Sequence, residues 1–224
     1  MDNHSSFILL DERWQLYDLS VLTKGYMYLY GFFYTLRMRE NITPSNMPWE
    51  GGHSVVNFFY GMYNAIDEEN KPSVLRIQYA SPGFIELGLY VDVALDIAKI
   101  VSAVSASLYT SNKTYDSIIK GYRARKLAKL KEKDLINNHK VKDLEYTRIC
   151  IEIMQLIMTL RPEQIEALEK LSDNDSLVHL KILLALYRRV EPLASLESEG
   201  KARFSDEDGN LPKIEIDKGD RSHR

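Results

Sequence analysis

The stretch from Val74 to Tyr109 constrains this chain most, because its hydrophobic period changes within a few residues. Val74, Arg76, Gln78 and Ala80 alternate with Leu75, Ile77 and Tyr79, the period-two pattern of a half-buried strand. Ser81-Pro82-Gly83 follows. Pro82 biases Ser81 away from helical geometry, so Ser81 or Gly83 bounds the next element. From Phe84 the spacing predicts a helix to Tyr109, with Glu86 in its first turn, where the positive helix end favours a carboxylate. Steps of about 100° per residue place Asp92, Asp96 and Lys99 in a sector of about 60°, with Gly88 and Ala103 nearby. Val93, Ala94, Ile97, Ala98, Ile100, Val101, Val104 and Leu108 cover a wide opposite arc. The result is an apolar rod with one narrow charged seam. Lys99 lies within reach of both aspartates and would neutralise them by ion pairing.

Taken in order, Phe7 to Leu10 form a short apolar run that reads as a pairing strand in a lead-in ending near Leu16. Leu19, Leu22, Tyr26, Leu29, Phe33 and Leu36 then recur at helical spacing, and Tyr28, Tyr30, Phe32 and Tyr34 surround that stripe. A helix so aromatic on all sides is contacted on more than one side. Pro44, Pro48, Gly51 and Gly52 break the pattern in a loop, and Gly51-Gly52-His53 lacks the spacing of a phosphate-binding motif. Ser54 caps a second helix, which ends near Asp67.

Thr110 to Lys113 reads as a pause, with Thr114 capping a helix to about Asn137. Within its 120–133 segment Lys120, Arg123, Arg125, Lys126, Lys129, Lys131 and Lys133 face a single acid, Glu132, which predicts a strongly basic surface helix. Leu144, Ile149, Ile153, Leu156, Ile157 and Leu160 form a set expected to face the core. Pro162 opens a short helix, and a last amphipathic helix runs to about Pro192. Beyond Ser195 the sequence turns charged and reads as a mobile tail, apart from Phe204 and a strand-like KIEID segment.

Composition excludes little but bounds the chemistry. Of 224 residues, 45% are hydrophobic and 27% charged, which fits a folded domain, and a net charge of -3 marks no general polyanion binder. One cysteine, Cys150, allows no internal disulfide and no cysteine-based zinc site. It lies in an apolar helical pattern, where buried structural cysteine is the default. No His, Asp and Glu grouping has metal-ligand spacing, no nucleophile motif is present, and His179 reads as a packed or half-exposed helix residue. No catalytic, metal or cofactor residue is therefore expected. Without a basic region and long apolar core at its N-terminus, the chain reads as cytoplasmic.

The run VLRIQYASPGFIELGL, followed by a hydrophobic and then a basic helix, resembles a unit of uncharacterised bacterial proteins, some suspected of roles in antiphage defence. The resemblance covers about a quarter of the chain and transfers no catalytic residue. It implies a defence scaffold or a membrane effector without choosing between them.

The fold class expected is mainly α, a helical bundle with a long helical hairpin and a small β element. Four segments are expected: an N-terminal helical region over 1–83, the apolar-then-basic hairpin over 84–140, a C-terminal helical region over 141–195, and the tail over 196–224. Function follows one of three readings. The first is a non-enzymatic assembly protein acting as a homo-oligomer or docking on a protein partner, with coiled-coil-like packing along the Gly88, Asp92, Asp96, Lys99 and Ala103 seam. The second is a pore-type effector of the inner membrane, whose span of about 26 residues turns that seam toward a wet interior. The third is nucleic-acid binding through the basic helix.

Overall fold

The computed structural model describes residues 5–11, 13–38, 54–79, 83–131 and 136–204, with side chains omitted at 54–56, 127–131 and 136–142. Ser5–Leu10 forms strand β1, and its alternation places Ile8 and Leu10 on the face that joins the core. Strand β3, Gly83–Gly88, pairs antiparallel with β1 from Gly83 opposite Leu10 to Gly88 opposite Ser5. On its other side β3 pairs with β2, Ser73–Gln78, with a bulge between Val74 and Arg76. A short β4, Ala202–Phe204, adds to the free side of β1, giving a four-stranded antiparallel sheet in the order β2-β3-β1-β4.

Seven α-helices accompany the sheet among the described residues: α1 Leu16–Met38, α2 Ser54–Asn64, α3 Val91–Ala106, α4 Leu108–Lys131, α5 Ile136–Ile157, α6 Pro162–Leu171 and α7 Ser176–Ser198. The protein is mainly α with a small β element. The expected helix at 84–109 is corrected. Phe84 to Gly88 complete a β hairpin with β2, and the helix begins at Val91, so Glu86 sits on a strand and pairs with Arg76 at 3.4 Å. In so short a run Phe84, Ile85 and Leu87 satisfy either period, and only the pairing with β1 decides. The helix is interrupted at Ser107, and Thr110 to Lys113 lie inside α4. At 16 residues α3 spans about 24 Å, short of a bilayer core of about 30 Å. No described helix is long and apolar enough to cross a membrane.

Helix α7 lies at the centre, packed against α1, α3, α4, α5, α6 and β4. Leu180, Ile182, Leu183, Ala185, Leu186, Tyr187, Val190, Leu193 and Ala194 are buried over most of its circumference, with Lys181, Arg188 and Ser195 on the one side left half-buried or exposed. It continues through Pro192 to Ser198 instead of ending near the proline. The expected tail is also shortened. Leu196 is buried, and β4 ties the chain back to β1, with the Asp11 amide donating to the Lys201 carbonyl at 2.9 Å. Trp14 Nε1 reaches the same carbonyl at 3.2 Å, and Lys201 pairs with buried Asp18 at 3.3 Å. Residues 205–224, with the KIEID segment, and the glycine loop at 39–53 lie outside the described residues.

The stripe on α1 is buried at Leu22, Tyr26, Leu29 and Phe33 and half-buried at Leu19 and Leu36, and Tyr28, Tyr30 and Phe32 around it are enclosed as well. The Tyr30 hydroxyl donates to the Asn70 carbonyl at 2.9 Å and accepts from the Tyr90 amide at 3.3 Å. Burial pushes its pKa up to about 12. On α5 the buried residues among those with described side chains are Cys150, Ile151 and Met154, followed by Met158 just past its end, whereas Leu144, Ile149 and Leu156 are exposed. The expected core set therefore mixed two faces of that helix.

Helix α1 meets α2 across Gly31, where a Cβ would come within 2.7 Å of the Tyr63 backbone nitrogen. Backbone cannot step aside as a side chain can. Gly31→Ala is expected to destabilise the fold by about 1 to 3 kcal/mol through overpacking, read as a lowered urea midpoint. An unchanged midpoint would show that α1 and α2 separate freely.

Candidate functional site

The five residues of the expected seam do not share one environment. Gly88 ends β3, opposite Ser5 and Ser73, and belongs to no helix. On α3, Asp92 and Lys99 are exposed, Ala103 is half-buried and Asp96 is buried. Asp96 is the seam residue nearest in helical angle to Ile100 and Val93, which face the core. Its carboxylate, with 2% of the side chain exposed, is gripped by two arginines from other elements. Arg37 Nε, in the last turn of α1, donates to Oδ2 at 2.6 Å, and its Nη2 donates to Oδ1 at 3.2 Å. Arg161, just before α6, brings Nη2 within 2.9 Å of Oδ1 and 3.1 Å of Oδ2. The hydrogen bond to Asp96 raises the Arg37 pKa. Arg37 also lies 3.7 Å from Asp92 at the surface. Arginines from α1 and the α6 entry, not Lys99 alone, thus meet these aspartates, and the seam is an interhelical clamp.

The basic surface is also narrower than its sequence implies. Lys120, Arg123 and Lys126 are exposed, but Arg125 turns toward α5. Its guanidinium lies 3.6 Å from the Tyr146 ring centroid, and Nη1 lies 3.4 Å from Asp143. Lys129 and Lys131 fall where side chains are not described, and Lys133 lies outside the described residues. Arg125 is engaged in tying α4 to α5, which removes it from a free phosphate-contacting row.

Two features were not legible as sites. Strand β2 was expected to be half-buried, yet every residue of it is exposed, and it forms one edge of the sheet. Val74 and Leu75 are each 57% exposed, Ile77 is 61% and Tyr79, just past the strand, is 71%. Ile77 pairs with buried Ile85, so it continues an apolar row beyond the part of the sheet that is covered. The sequence signal was the presence of large apolar residues at both parities of the strand, which one covered face does not require.

The second is a polar cavity of about 410 Å³ between α5 and the α6–α7 connection, lined by Arg148, Ile151, Glu152, Gln155, Glu169, Asn174, Ser176 and His179. His179 is buried, and burial lowers its pKa, with Glu169 opposing that shift. Its Nε2 lies 3.5 Å from the Gln155 amide nitrogen. Ser176, His179 and Glu169 bring a hydroxyl, an imidazole and a carboxylate to one cavity. Among the described residues no hydrogen bond joins His179 to either of the others, so the hydroxyl has no bonded base. Cys150 is buried nearby on α5, and burial raises its thiol pKa, which fits a packing role.

Two outcomes follow. Asp96→Ala leaves two arginines without their shared carboxylate. Both are partly exposed, at 26% and 37%, so the expected loss is about 2 to 3 kcal/mol, below the value for a fully enclosed pair. Lys99→Ala is expected to change stability by less than about 0.5 kcal/mol. Equal effects in urea unfolding would contradict the clamp. For His179, the folded pKa lies below the ordinary 6.5. Its neutral form therefore contributes stability that is complete above pH 6.5 and lost as pH falls through the folded value. His179→Gln is expected to flatten the fall of thermal midpoint on acidification through that window; an identical pH profile would refute it.

No family model matches the chain, and no curated protein or solved structure matches it.

Proposed function

We propose that the protein acts by self-association, joining the open β2 edge to the same edge of a second copy. The observation that carries this reading is the full exposure of β2 with four large apolar side chains in and just after it. An edge strand offers a row of unpaired amides and carbonyls, and natural sheets blunt such edges with charge, proline or bulges. Here Lys71 and Pro72 lie before the strand, and the bulge affects its first half. From Arg76 to Gln78 the pairing is regular again.

Antiparallel pairing of β2 with its own copy around a two-fold axis is self-complementary, because each strand supplies what the other lacks. Charge does not oppose it. Arg76, the one charged residue of β2, is engaged within its own sheet by Glu86 at 3.4 Å and lies 4.7 Å from the Phe84 ring centroid. Two such strands therefore meet without confronting unpaired like charges. Each apolar side chain fully buried in the contact is worth about 1.5 to 3 kcal/mol. This is the assembly reading of the sequence with its contact moved from the α3 seam to the sheet edge. The Val74–Leu89 stretch resembles a unit of uncharacterised bacterial proteins, some suspected of roles in antiphage defence, and a scaffold in such a system is one role that this assembly would fit.

Light scattering coupled to size exclusion, over a concentration series, tests the proposal. The wild type is expected to run as a dimer or a multiple of it. Ile77→Lys is expected to shift it to monomer with an unchanged thermal midpoint, while Leu156→Lys, on exposed α5 surface, leaves assembly intact. A monomeric wild type at all concentrations, or an Ile77→Lys variant that still assembles, overturns the reading.

A further inference from the structure

The cavity between α5 and the α6–α7 connection is built from charged and amide side chains that the fold does not use. Arg148 and Glu152 stand one turn apart on α5, and Glu169 faces them from the end of α6. Among the described residues none of these three makes an ion pair with another side chain. The Asn174 amide donates to the Glu169 carbonyl at 3.0 Å, and among the described residues the one contact between polar side chains of the lining is the weak approach of Gln155 to buried His179 at 3.5 Å. An anion is not the natural occupant of the neighbouring α7 N-terminus. Asp175 already accepts from the Leu177 and Val178 amides there, at 2.7 and 3.1 Å.

The lining charges set the ligand class. One arginine and two glutamates sum to a net negative charge, and they offer one site for a carboxylate and two for ammonium groups. Ile151 is the single apolar residue of the lining, enough for an aliphatic stem, and no Phe, Tyr or Trp ring is present to stack a base or a sugar. A volume of about 410 Å³ suits a small molecule. We propose that this cavity binds a free basic amino acid, with Arg148 holding the carboxylate and Glu152 and Glu169 receiving the two ammonium groups. Gln155, Asn174, Ser176 and His179 supply the neutral hydrogen bonds between these charged ends. The site is independent of the β2 edge, which lies on other elements.

Calorimetric titration of the full chain at low ionic strength, with L-lysine as the probe, tests this. Saturable lysine binding is expected, with weaker binding of putrescine, which lacks the carboxylate, and none of glutamate. Glu152→Gln and Glu169→Gln are each expected to weaken lysine at least tenfold. Arg148→Met is expected to weaken lysine but not putrescine. All three side chains belong to exposed residues, and matching thermal midpoints confirm that the variants fold. The proposal is overturned if lysine gives no saturable heat, if glutamate binds as tightly, or if the two glutamate variants bind lysine like the wild type.

Discussion

Burial of α7 over most of its circumference is the constraint on which this structure depends. Leu183, Ala185, Leu186 and Val190 belong to an apolar arc that leaves only a narrow polar strip at Lys181, Arg188 and Ser195. A helix so widely apolar is stable only inside a shell, here supplied by α1, α3, α4, α5, α6 and β4. Pro192 makes the same point. A proline within a helix costs about 3 kcal/mol, yet α7 runs past it because Leu193, Ala194 and Leu196 are buried beyond. Ending the helix at the proline would expose those side chains and misplace β4, which holds the two ends of the described chain together.

Polar contacts then fix how the shell is arranged. Asp96 joins α1, α3 and the entry of α6 through one carboxylate. Such a group is weak evidence for net stability, since desolvation offsets much of the attraction, but it has one satisfactory arrangement of its partners. Apolar packing among Ile97, Ile100 and Val104 tolerates small sliding; two guanidiniums on one carboxylate do not. Glu197 is a less settled case. It hydrogen-bonds Ser102 at 2.9 Å, but its Oε2 has no partner, and burial raises its pKa.

The legible parts of the sequence were those where one physical signal acted alone. The α1 stripe from Leu22 to Phe33 is long enough to fix both period and face, and Pro162 fits the first turn of α6. The illegible parts were those decided by distant partners. Phe84 to Gly88 became a strand because β1, some eighty residues earlier in the chain, offered its edge. The α5 face was misjudged because Leu144, Ile149 and Leu156 are apolar without being covered by any described element. Asp96, Asp92 and Lys99 looked alike by angle, and only the arrival of Arg37 and Arg161 separated them. His179 was recognisable as a packed residue, but its cavity is assembled from three helices and has no linear motif.

The contrast between β3 and β2 carries the functional consequence. The two strands are neighbours with similar apolar content, yet Phe84, Ile85 and Leu87 are buried while Val74, Leu75 and Ile77 stand in solvent. Chain entropy does not explain the difference, since β2 is already ordered by its pairing with β3. Having met the cost of ordering the strand, the fold leaves its apolar side chains exposed, and among the described residues β2 has a strand neighbour on one side alone. A second ordered strand arriving at that edge therefore gains burial and backbone pairing without first having to organise its target. A preformed edge of this kind suits association between folded copies better than coupled folding of a disordered partner, and under the proposed self-association the sheet, rather than the helical seam, would supply the contact.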